Sequence, residues 1–333
     1  MSVDAPPPSV ADLFQTLLPS ANTASLRDSV IPSLLQGIAD IAQALRGAQH
    51  VARAGTANTF GDEQLNVDVV AENHVRQALE RCPSVSTASS EEDPVERAVR
   101  PISPAQGEQY TAAFDPLDGS SIIAPNWTVG TIIGIWAGAS ALHALPSTSQ
   151  ICAILGVYGP RTTAIIALRL PSGPSHCIEL GFTDSSGTWE IIRPSVSLTL
   201  PSEIKTRYFA PANLRAASED PRYMALVTSY ISQRYTLRYS GGLVPDIVHT
   251  LVKGHGIYLS PVTAGSKAKL RRLYELCPLA LVVECAGGRA VDPANGTEVL
   301  ARPVVDCNET AGLVCGTAGE VDVAISALLG AVN

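Results

Sequence analysis

Apolar residues along the chain follow two different periods, and the change of period divides the sequence. In Ile31–Leu45 and Leu65–Leu79 they recur at helical spacing, which predicts two amphipathic helices. The middle of the chain instead alternates β-prone runs with turn clusters. The strands predicted there are Val129–Trp136, Ile151–Tyr158, Thr162–Leu170 and Cys177–Phe182. We expect them to form one large mixed sheet in the N-terminal part of the protein.

From about residue 201 the pattern becomes an alternation of strands and helices. The helices predicted in this part are Tyr223–Gln233, Pro245–Lys253 and Lys267–Ala286. The sequence therefore predicts a two-lobed protein of the α/β (α+β) class, with an N-terminal lobe of residues 1–200 and a C-terminal lobe of residues 201–333. The proline-rich start predicts that residues 1–20 are disordered or loosely held.

The composition is typical of a compact globular protein. The 333 residues are 46% hydrophobic and 16% charged, with a net charge of −8. The chain has no Lys/Arg-rich stripe that would bind nucleic acid, and no apolar stretch approaches the roughly 20 residues needed to span a bilayer. We therefore expect neither a nucleic-acid nor a membrane partner. Because the first residues do not resemble a secretory signal, we also expect a cytoplasmic location.

The cysteines give no sign of a metal site or of disulfide bonds. All seven are scattered, and no two form a C-x-x-C pair, which argues against a zinc site and against a disulfide framework. We expect reduced and mostly buried thiols.

The candidate chemistry concentrates in one octet, Phe114-Asp115-Pro116-Leu117-Asp118-Gly119-Ser120-Ser121. Asp-Pro and Asp-Gly are common turn dipeptides, so the octet alone is equally compatible with an ordinary structural turn. The preceding run Tyr110–Phe114 is apolar and β-prone, however, and would place both aspartates at the carboxyl end of a buried strand, where open α/β sheets bind ligands. Two carboxylates followed by Gly-Ser-Ser therefore favour a site that holds a phosphate against divalent cations.

Further acids could complete such a site. They are Asp62, Asp68, Glu91, Glu92 and Glu275. Taken alone, the run Glu91-Glu92-Asp93 is more typical of a solvated charged surface. Together with Asp115 and Asp118, these acids form an all-oxygen set without histidine or thiol, which favours magnesium or manganese over zinc. Several carboxylates around two or three such ions commonly catalyse phosphoryl transfer to water.

Seven stretches together resemble a known family. Four are similar to the class 1 sugar bisphosphatases of the fructose-1,6-bisphosphatase family: Gly61–Leu65, Ser90–Glu92, Phe114–Ser121 and Lys269–Glu275. Three more resemble the sedoheptulose-1,7-bisphosphatase branch of that family: Tyr158–Thr163, Phe209–Arg215 and Tyr235–Gly242. The resemblance runs from about residue 50 to residue 320. It implies a layered αβαβα sugar-phosphatase fold with the large mixed sheet in the N-terminal lobe.

The same resemblance implies a site for two or three Mg²⁺ ions, with Mn²⁺ as an alternative. The implied metal ligands are Glu91, Glu92, Asp115, Asp118, Glu275 and the carbonyl of Leu117. Asp62 and Asp68 would order a loop and polarise the attacking water, and Glu92 would share the work of the general base.

Substrate contacts are also implied. The departing phosphate would meet Asp118, Gly119, Ser120 and Ser121, and the sugar and its other phosphate would meet Asn213, Arg238, Tyr239 and Lys269. Arg238 and Lys269 could instead be plain surface cations, and Tyr239 a core residue. In the family, the counterpart of Arg238 reaches into the neighbouring subunit's site. A homodimer or homotetramer is therefore implied.

The function that we expect is hydrolysis of the 1-phosphate of sedoheptulose 1,7-bisphosphate, giving sedoheptulose 7-phosphate and phosphate by in-line attack of a metal-bound water. Fructose 1,6-bisphosphate is the alternative substrate, although Ser260 stands where that family places a second tyrosine. An inositol-monophosphatase-like enzyme would share the acids but not the stretch Tyr235–Gly242. A sugar-phosphate-binding regulator without catalysis is disfavoured, because none of the implied carboxylate positions holds Ala, Asn or Gln.

Overall fold

A computed structural model of the protein describes residues 8–57, 63–100, 107–171, 173–198, 206–267 and 269–330. The α-helices in these ranges are α1 (Val10–Leu17), α2 (Ile31–Gly47), α3 (Asn66–Glu80), α4 (Ser120–Ile123), α5 (Pro146–Ser149), α6 (Pro221–Ser232), α7 (Leu243–Lys253), α8 (Cys277–Cys285) and α9 (Ala318–Leu329). Two π-helical segments, Leu26–Val30 and Arg272–Leu276, lead directly into α2 and α8. Short 3-10 helices cover Ala21–Thr23, Leu214–Ser218 and Val299–Ala301.

The strands of the first half of the chain are β1 (Arg53–Ala57), β2 (Glu63–Leu65), β3 (Val85–Ser90), β4 (Arg97–Ala98), β5 (Tyr110–Asp118), β6 (Val129–Ala137), β7 (Gln150–Tyr158), β8 (Thr162–Leu168), β9 (His176–Thr183) and β10 (Thr188–Arg193). The second half contributes β11 (Tyr208–Pro211), β12 (Thr236–Leu237), β13 (Ile257–Ser260), β14 (Leu270–Arg271), β15 (Arg289–Val291), β16 (Thr310–Ala311) and β17 (Leu313–Gly316).

Two sheets organise the molecule. The larger has eight strands in the order β10-β9-β8-β7-β6-β5-β3-β4, and it is mixed because β3 and β5 run parallel while the other neighbours are antiparallel. The smaller has five strands in the order β12-β11-β13-β17-β15. The predicted large mixed sheet is confirmed, and it lies in the part of the chain where the β-prone runs were found.

The central strands of the larger sheet are buried on both faces. Every residue of β5, β7 and β8 is buried, and successive side chains alternate between two hydrophobic cores. On β5, for example, Phe114 joins the core that includes Leu34 of α2, and Ala113 joins the core that includes Leu279 of α8. Strands covered on both faces read as nearly continuous apolar runs, which explains their clear signal in the sequence.

The layers follow from these cores. The core of α7 and α8 also includes Tyr258 and Cys315 of the smaller sheet, whose other face packs Phe209 and Leu259 against α6 and α9. Helices α1 to α3 cover the outer face of the larger sheet. The order helices, sheet, helices, sheet, helices confirms the αβαβα fold.

A glycine brings α7 against the larger sheet. A Cβ at Gly130 of β6 would lie 2.5 Å from side-chain atoms of Val244 and 2.8 Å from the carbonyl oxygen of Gly156. Only glycine therefore permits this approach, which places the first turn of α7 beside the end of β5.

Two expectations about local structure need correction. Of the start that was expected to be disordered or loosely held, residues 8–20 are described, and α1 packs Phe14 into the core. The predicted helix Lys267–Ala286 begins instead with strand β14 and a π-helical segment. The expected placement of the two aspartates is confirmed, because β5 is buried throughout, runs through Asp115 and ends at Asp118.

The expectation for the thiols is confirmed. All seven cysteines are free, six are buried, and Cys285 is partly exposed. Among the described residues, no helix is both long and apolar enough to cross a membrane.

Candidate active site

Two neighbouring parallel strands bring the first two acids together. In the register of β3 and β5, Ser90 lies opposite Phe114, and the backbone N–H of Glu91 donates to the Phe114 carbonyl at 3.0 Å. Glu91 and Asp115 are therefore the next residues along two adjacent strands that point the same way. Sequence patterns at the two strand ends could predict this proximity, since the carboxyl ends of parallel strands meet at one edge of a sheet.

A third acid comes from the other half of the chain. Glu275 lies in the π-helical segment Arg272–Leu276, and its carboxylate accepts the backbone N–H of Arg271. One carboxylate oxygen from each of Glu91, Asp115 and Glu275 lies within 4.8 Å of the other two. We call these residues the three-acid group.

Without a bound cation, the three-acid group is electrostatically unfavourable, because its buried carboxylates repel one another. Burial raises the pKa of Asp115 well above its usual range, and the charge of Glu91 raises it further. Burial and the Glu91 charge act in the same way on the pKa of Glu275. Burial also raises the pKa of Glu91 to about 7, although the Arg271 guanidinium, 2.6 Å from its carboxylate, opposes the shift.

These properties fit a hard divalent cation. The group consists of carboxylates alone, Asp115 and Glu275 are 5% and 6% exposed, and Arg271 pairs with Glu91. Oxygen donors of this kind suit Mg²⁺ or Mn²⁺, and a cation would remove the repulsion that raises the pKa values.

Asp118 is near the three-acid group, but its carboxylate is hydrogen-bonded to the start of α7. Its two carboxylate oxygens accept the backbone N–H groups of Leu243 at 3.1 Å and Val244 at 2.7 Å, so it caps the start of α7. Its negative charge nevertheless contributes to the raised pKa of Asp115 and of Glu275. A carboxylate has about four lone-pair positions, so capping leaves room for a metal contact.

Asp68 connects the acids to the Gly-Ser-Ser segment. It is buried in the first turn of α3, where it accepts the backbone N–H of Leu65 at 2.8 Å and the hydroxyl of Ser120 at 3.2 Å. Burial raises the pKa of Asp68 to about 6, and the nearby charge of Glu92 adds to the shift. Glu92 itself accepts a hydrogen bond from the side-chain amide of Gln64. The predicted catalytic residue Asp62 lies outside the described residues.

The segment after Asp118 makes a tight turn. Gly119 has φ = +98°, and a Cβ there would lie 3.1 Å from Val129 and 3.3 Å from Ile122. A glycine is therefore required at this position. The Ser120 hydroxyl lies 3.2 Å from the carbonyl of Leu117, the predicted backbone ligand, while Ser121 is exposed.

The four residues predicted to contact the sugar and its second phosphate differ in their exposure and in their hydrogen bonds. The side-chain amide of Asn213 donates to the carbonyls of Pro261 at 2.7 Å and Ser266 at 3.3 Å, so it holds a loop. Lys269 is exposed, two residues before the arginine that faces Glu91. Arg238 and Tyr239 are also exposed, and Arg238 stacks 5.6 Å from the centre of the Tyr208 ring.

Arg238 and Tyr239 line a cavity of about 1030 Å³ together with the stretch Tyr158–Thr163. The three-acid group does not line this cavity. The structure thus brings Glu91, Asp115 and Glu275 together and keeps Asp68, Glu92, Asp118 and Ser120 beside them, whereas Arg238 and Tyr239 line the cavity.

Two residues of the site were not anticipated. Arg271 supplies the positive charge that faces Glu91, and it lies inside the recognised stretch Lys269–Glu275. Asp246 is buried beside the turn that precedes α7. In the sequence, Asp246 is an acid in the first turn of a predicted helix. Such acids are common and usually stabilise the helix, so this position did not indicate a functional site.

Comparison with known proteins yields two adjoining domain matches. Residues 19–190 match the N-terminal domain of fructose-1,6-bisphosphatase, and residues 202–329 match its C-terminal domain. A solved structure of a candidate sedoheptulose-1,7 bisphosphatase from Toxoplasma gondii superposes with a TM-score of 0.85 at 32% identity, covering 97% of this chain and 98% of that one.

Named relatives come from both branches. The chloroplastic sedoheptulose-1,7-bisphosphatase of Chlamydomonas reinhardtii is 38% identical over 87% of this chain and 72% of its own length. That of Triticum aestivum is 38% identical over 80% of this chain and 65% of its own, so the chain spans just under two thirds of it. The class 1 fructose-1,6-bisphosphatase of Syntrophotalea carbinolica is 33% identical over 81% of this chain and 79% of its own length.

Proposed function

Because the chain belongs to the fructose-1,6-bisphosphatase family, we propose that it is a metal-dependent sugar bisphosphatase that hydrolyses the 1-phosphate of sedoheptulose 1,7-bisphosphate. The products are sedoheptulose 7-phosphate and inorganic phosphate. The observation that carries the proposal is the three-acid group, whose carboxylate oxygens lie within 4.8 Å of one another.

The acids supply the metal site. Glu91, Asp115 and Glu275 hold a divalent cation, and Glu92, Asp118 and the Leu117 carbonyl complete a site for two or three Mg²⁺ or Mn²⁺ ions. When bound, such ions offset the charge of the phosphate and of the departing sugar oxygen, and they make water a stronger nucleophile. Arg271 holds the Glu91 carboxylate in place by its ion pair at 2.6 Å.

Proton handling falls to residues beside the metal ligands. Asp68, whose pKa burial raises to about 6, is suited to accept a proton close to neutral pH. Glu92 shares this work, and Asp62 remains a predicted partner. The Ser120 hydroxyl links Asp68 to the Gly119–Ser121 segment, whose backbone N–H groups receive the departing phosphate.

The substrate's other end is assigned to the second half of the chain. Lys269 and Tyr239 contact the sugar phosphate, and Asn213 contributes through the loop that its amide holds. Arg238, exposed beside the cavity, reaches into the site of a second copy in a homodimer or homotetramer. We further propose a cytoplasmic location, consistent with seven free cysteines.

Two observations favour the seven-carbon substrate. The stretches Tyr158–Thr163 and Tyr235–Gly242 resemble the sedoheptulose branch, and the relatives named for that branch reach 38% identity against 33% for the bacterial fructose bisphosphatase. Fructose 1,6-bisphosphate remains the second candidate substrate, because the fructose-directed relative covers a similar share of the chain.

The test is phosphate release by the purified protein from both bisphosphates, with Mg²⁺ and with EDTA. We expect release from sedoheptulose 1,7-bisphosphate with the higher kcat/KM, and loss of release in EDTA. Sedoheptulose 7-phosphate serves as the control substrate, since it lacks the 1-phosphate. Release that persists in EDTA, or no release from either bisphosphate, would contradict the proposal.

A further inference from the structure

We propose that Asp246 is a positioning residue for phosphate binding, because its carboxylate holds the Ser240–Gly242 turn against the segment that starts at Gly119. This inference deepens the proposed function and rests on it for the identity of the phosphate.

Asp246 is tied to the turn by direct contacts. It is 5% exposed, and its carboxylate accepts the backbone N–H of Ser240 at 2.7 Å and of Gly241 at 3.4 Å. In return, its own backbone N–H donates to the Gly242 carbonyl at 3.3 Å. A buried carboxylate that accepts two backbone N–H groups of one turn fixes that turn, since its loss would leave both donors without this partner.

The turn packs directly against Ile122 of α4. Gly241 has φ = +99°, and a Cβ there would lie 3.3 Å from the Ile122 side chain. A Cβ at Gly242 would lie 3.1 Å from Ile122 and 2.9 Å from Pro245. Both glycines therefore allow the backbone to approach Ile122 more closely than any other residue would.

Ile122 in turn supports the start of the phosphate-binding segment. Its backbone N–H donates to the Gly119 carbonyl at 2.9 Å, and its Cγ1 lies 3.3 Å from where a Cβ at Gly119 would be. Asp246 thus acts through the Ser240–Gly242 turn and Ile122 on Gly119, without touching the phosphate itself.

A separate contact keeps α7 in place when Asp246 is changed. Asp118 holds the N–H groups of Leu243 and Val244, one turn from Asp246. Removal of the Asp246 carboxylate should therefore loosen the turn and the neighbouring Tyr239 while α7 and the metal ligands stay fixed. Phosphate affinity should fall without loss of the metal.

The test compares Asp246→Ala with the matched control Asp220→Ala. Asp220 likewise accepts a backbone N–H through its carboxylate, that of Arg222 at 2.9 Å, but it lies at the start of α6. For Asp246→Ala we expect KM to rise about tenfold and kcat to stay within about threefold, because a displaced binding group weakens substrate binding more than chemistry. The Mg²⁺ activation constant should not change. For Asp220→Ala we expect wild-type KM.

Asp246→Asn provides a second variant, because its amide oxygen can still accept one of the two N–H groups. Its KM should lie between those of wild type and Asp246→Ala, and it decides the question if Asp246→Ala does not fold. Wild-type KM in every folded Asp246 variant, or an equal rise in Asp220→Ala, would overturn the inference.

Calorimetric binding of inorganic phosphate in Mg²⁺ separates this inference from the proposed function. Weaker phosphate binding by the Asp246 variants is expected even if wild type hydrolyses neither bisphosphate, an outcome that would contradict the proposed function alone. Unchanged phosphate affinity in those variants would contradict the positioning role alone.

Discussion

Asp115→Asn should abolish phosphate release and at the same time stabilise the metal-free protein. We expect kcat to fall at least about a thousandfold, because a lost metal ligand removes several kcal/mol of transition-state stabilisation. The free energy of unfolding without metal should rise by about 1–3 kcal/mol, because the substitution removes a buried charge that faces other carboxylates. The amide oxygen can still accept the Leu117 N–H, which donates to Asp115 at 3.0 Å in wild type.

The stability gain should depend on pH in a defined direction. Burial, and then the Glu91 charge, raise the pKa of Asp115 above its unfolded value of 3.8. A carboxyl group of this kind destabilises the fold increasingly as pH rises from its unfolded pKa towards its folded pKa. The difference between the variant and wild type should therefore be small near pH 4 and grow towards pH 7. Urea unfolding in EDTA at several pH values measures it.

Asp28→Asn is the matched control, since the Asp28 side chain is 61% exposed and pairs with Arg27 at the surface. It should retain wild-type turnover and show no comparable change in stability. An inactive Asp115→Asn that is clearly less stable than wild type in EDTA would show that the loss of activity reflects damage to the fold.

Asp118→Asn should also lose turnover but with the opposite effect on stability. We expect kcat to fall at least about a hundredfold, because the carboxylate charge next to the metal ligands is lost. An asparagine has one acceptor oxygen for the two N–H groups of Leu243 and Val244, and its amide nitrogen would face the other donor. One buried unpaired N–H costs about 1–3 kcal/mol. Relief of the buried Asp118 charge offsets only part of this cost, since the hydrogen bonds from Leu243 and Val244 already stabilise that charge, so the free energy of unfolding should fall by less than this amount.

Phosphate release and urea unfolding, measured on the same preparation, separate the two variants. Both are nearly inactive, yet Asp115→Asn should be more stable and Asp118→Asn less stable than metal-free wild type. Near-normal turnover by Asp118→Asn would remove Asp118 from the site.

The sequence predicted the central sheet because of how that sheet is packed. Strands β6, β7 and β8 are covered on both faces, so their apolar runs are long and bounded by turns. The fold class and the family resemblance, both drawn from patterns in the sequence, are confirmed by the domain matches and by the Toxoplasma gondii structure. The division into residues 1–200 and 201–333 and the roles assigned to the site residues stay predictions.

Local geometry was less accessible from the sequence. The apolar spacing of Lys267–Ala286 continues a helical pattern, but Arg271 pairs with Thr310 in a two-stranded sheet and a π-helical segment follows it. That tertiary pairing overrides helical propensity and turns Glu275 towards Asp115. The capping of α7 by Asp118 could not be predicted either, because the two residues joined are more than a hundred positions apart.

Binding of Mn²⁺ to the metal-free protein, followed by electron paramagnetic resonance, tests most directly whether the three-acid group is a cation site. A cation site at these acids requires wild type to bind at least one Mn²⁺ per chain and Asp115→Asn to bind it at least about tenfold more weakly. Equal Mn²⁺ affinity in wild type and Asp115→Asn, or no binding by wild type, would contradict a cation site there.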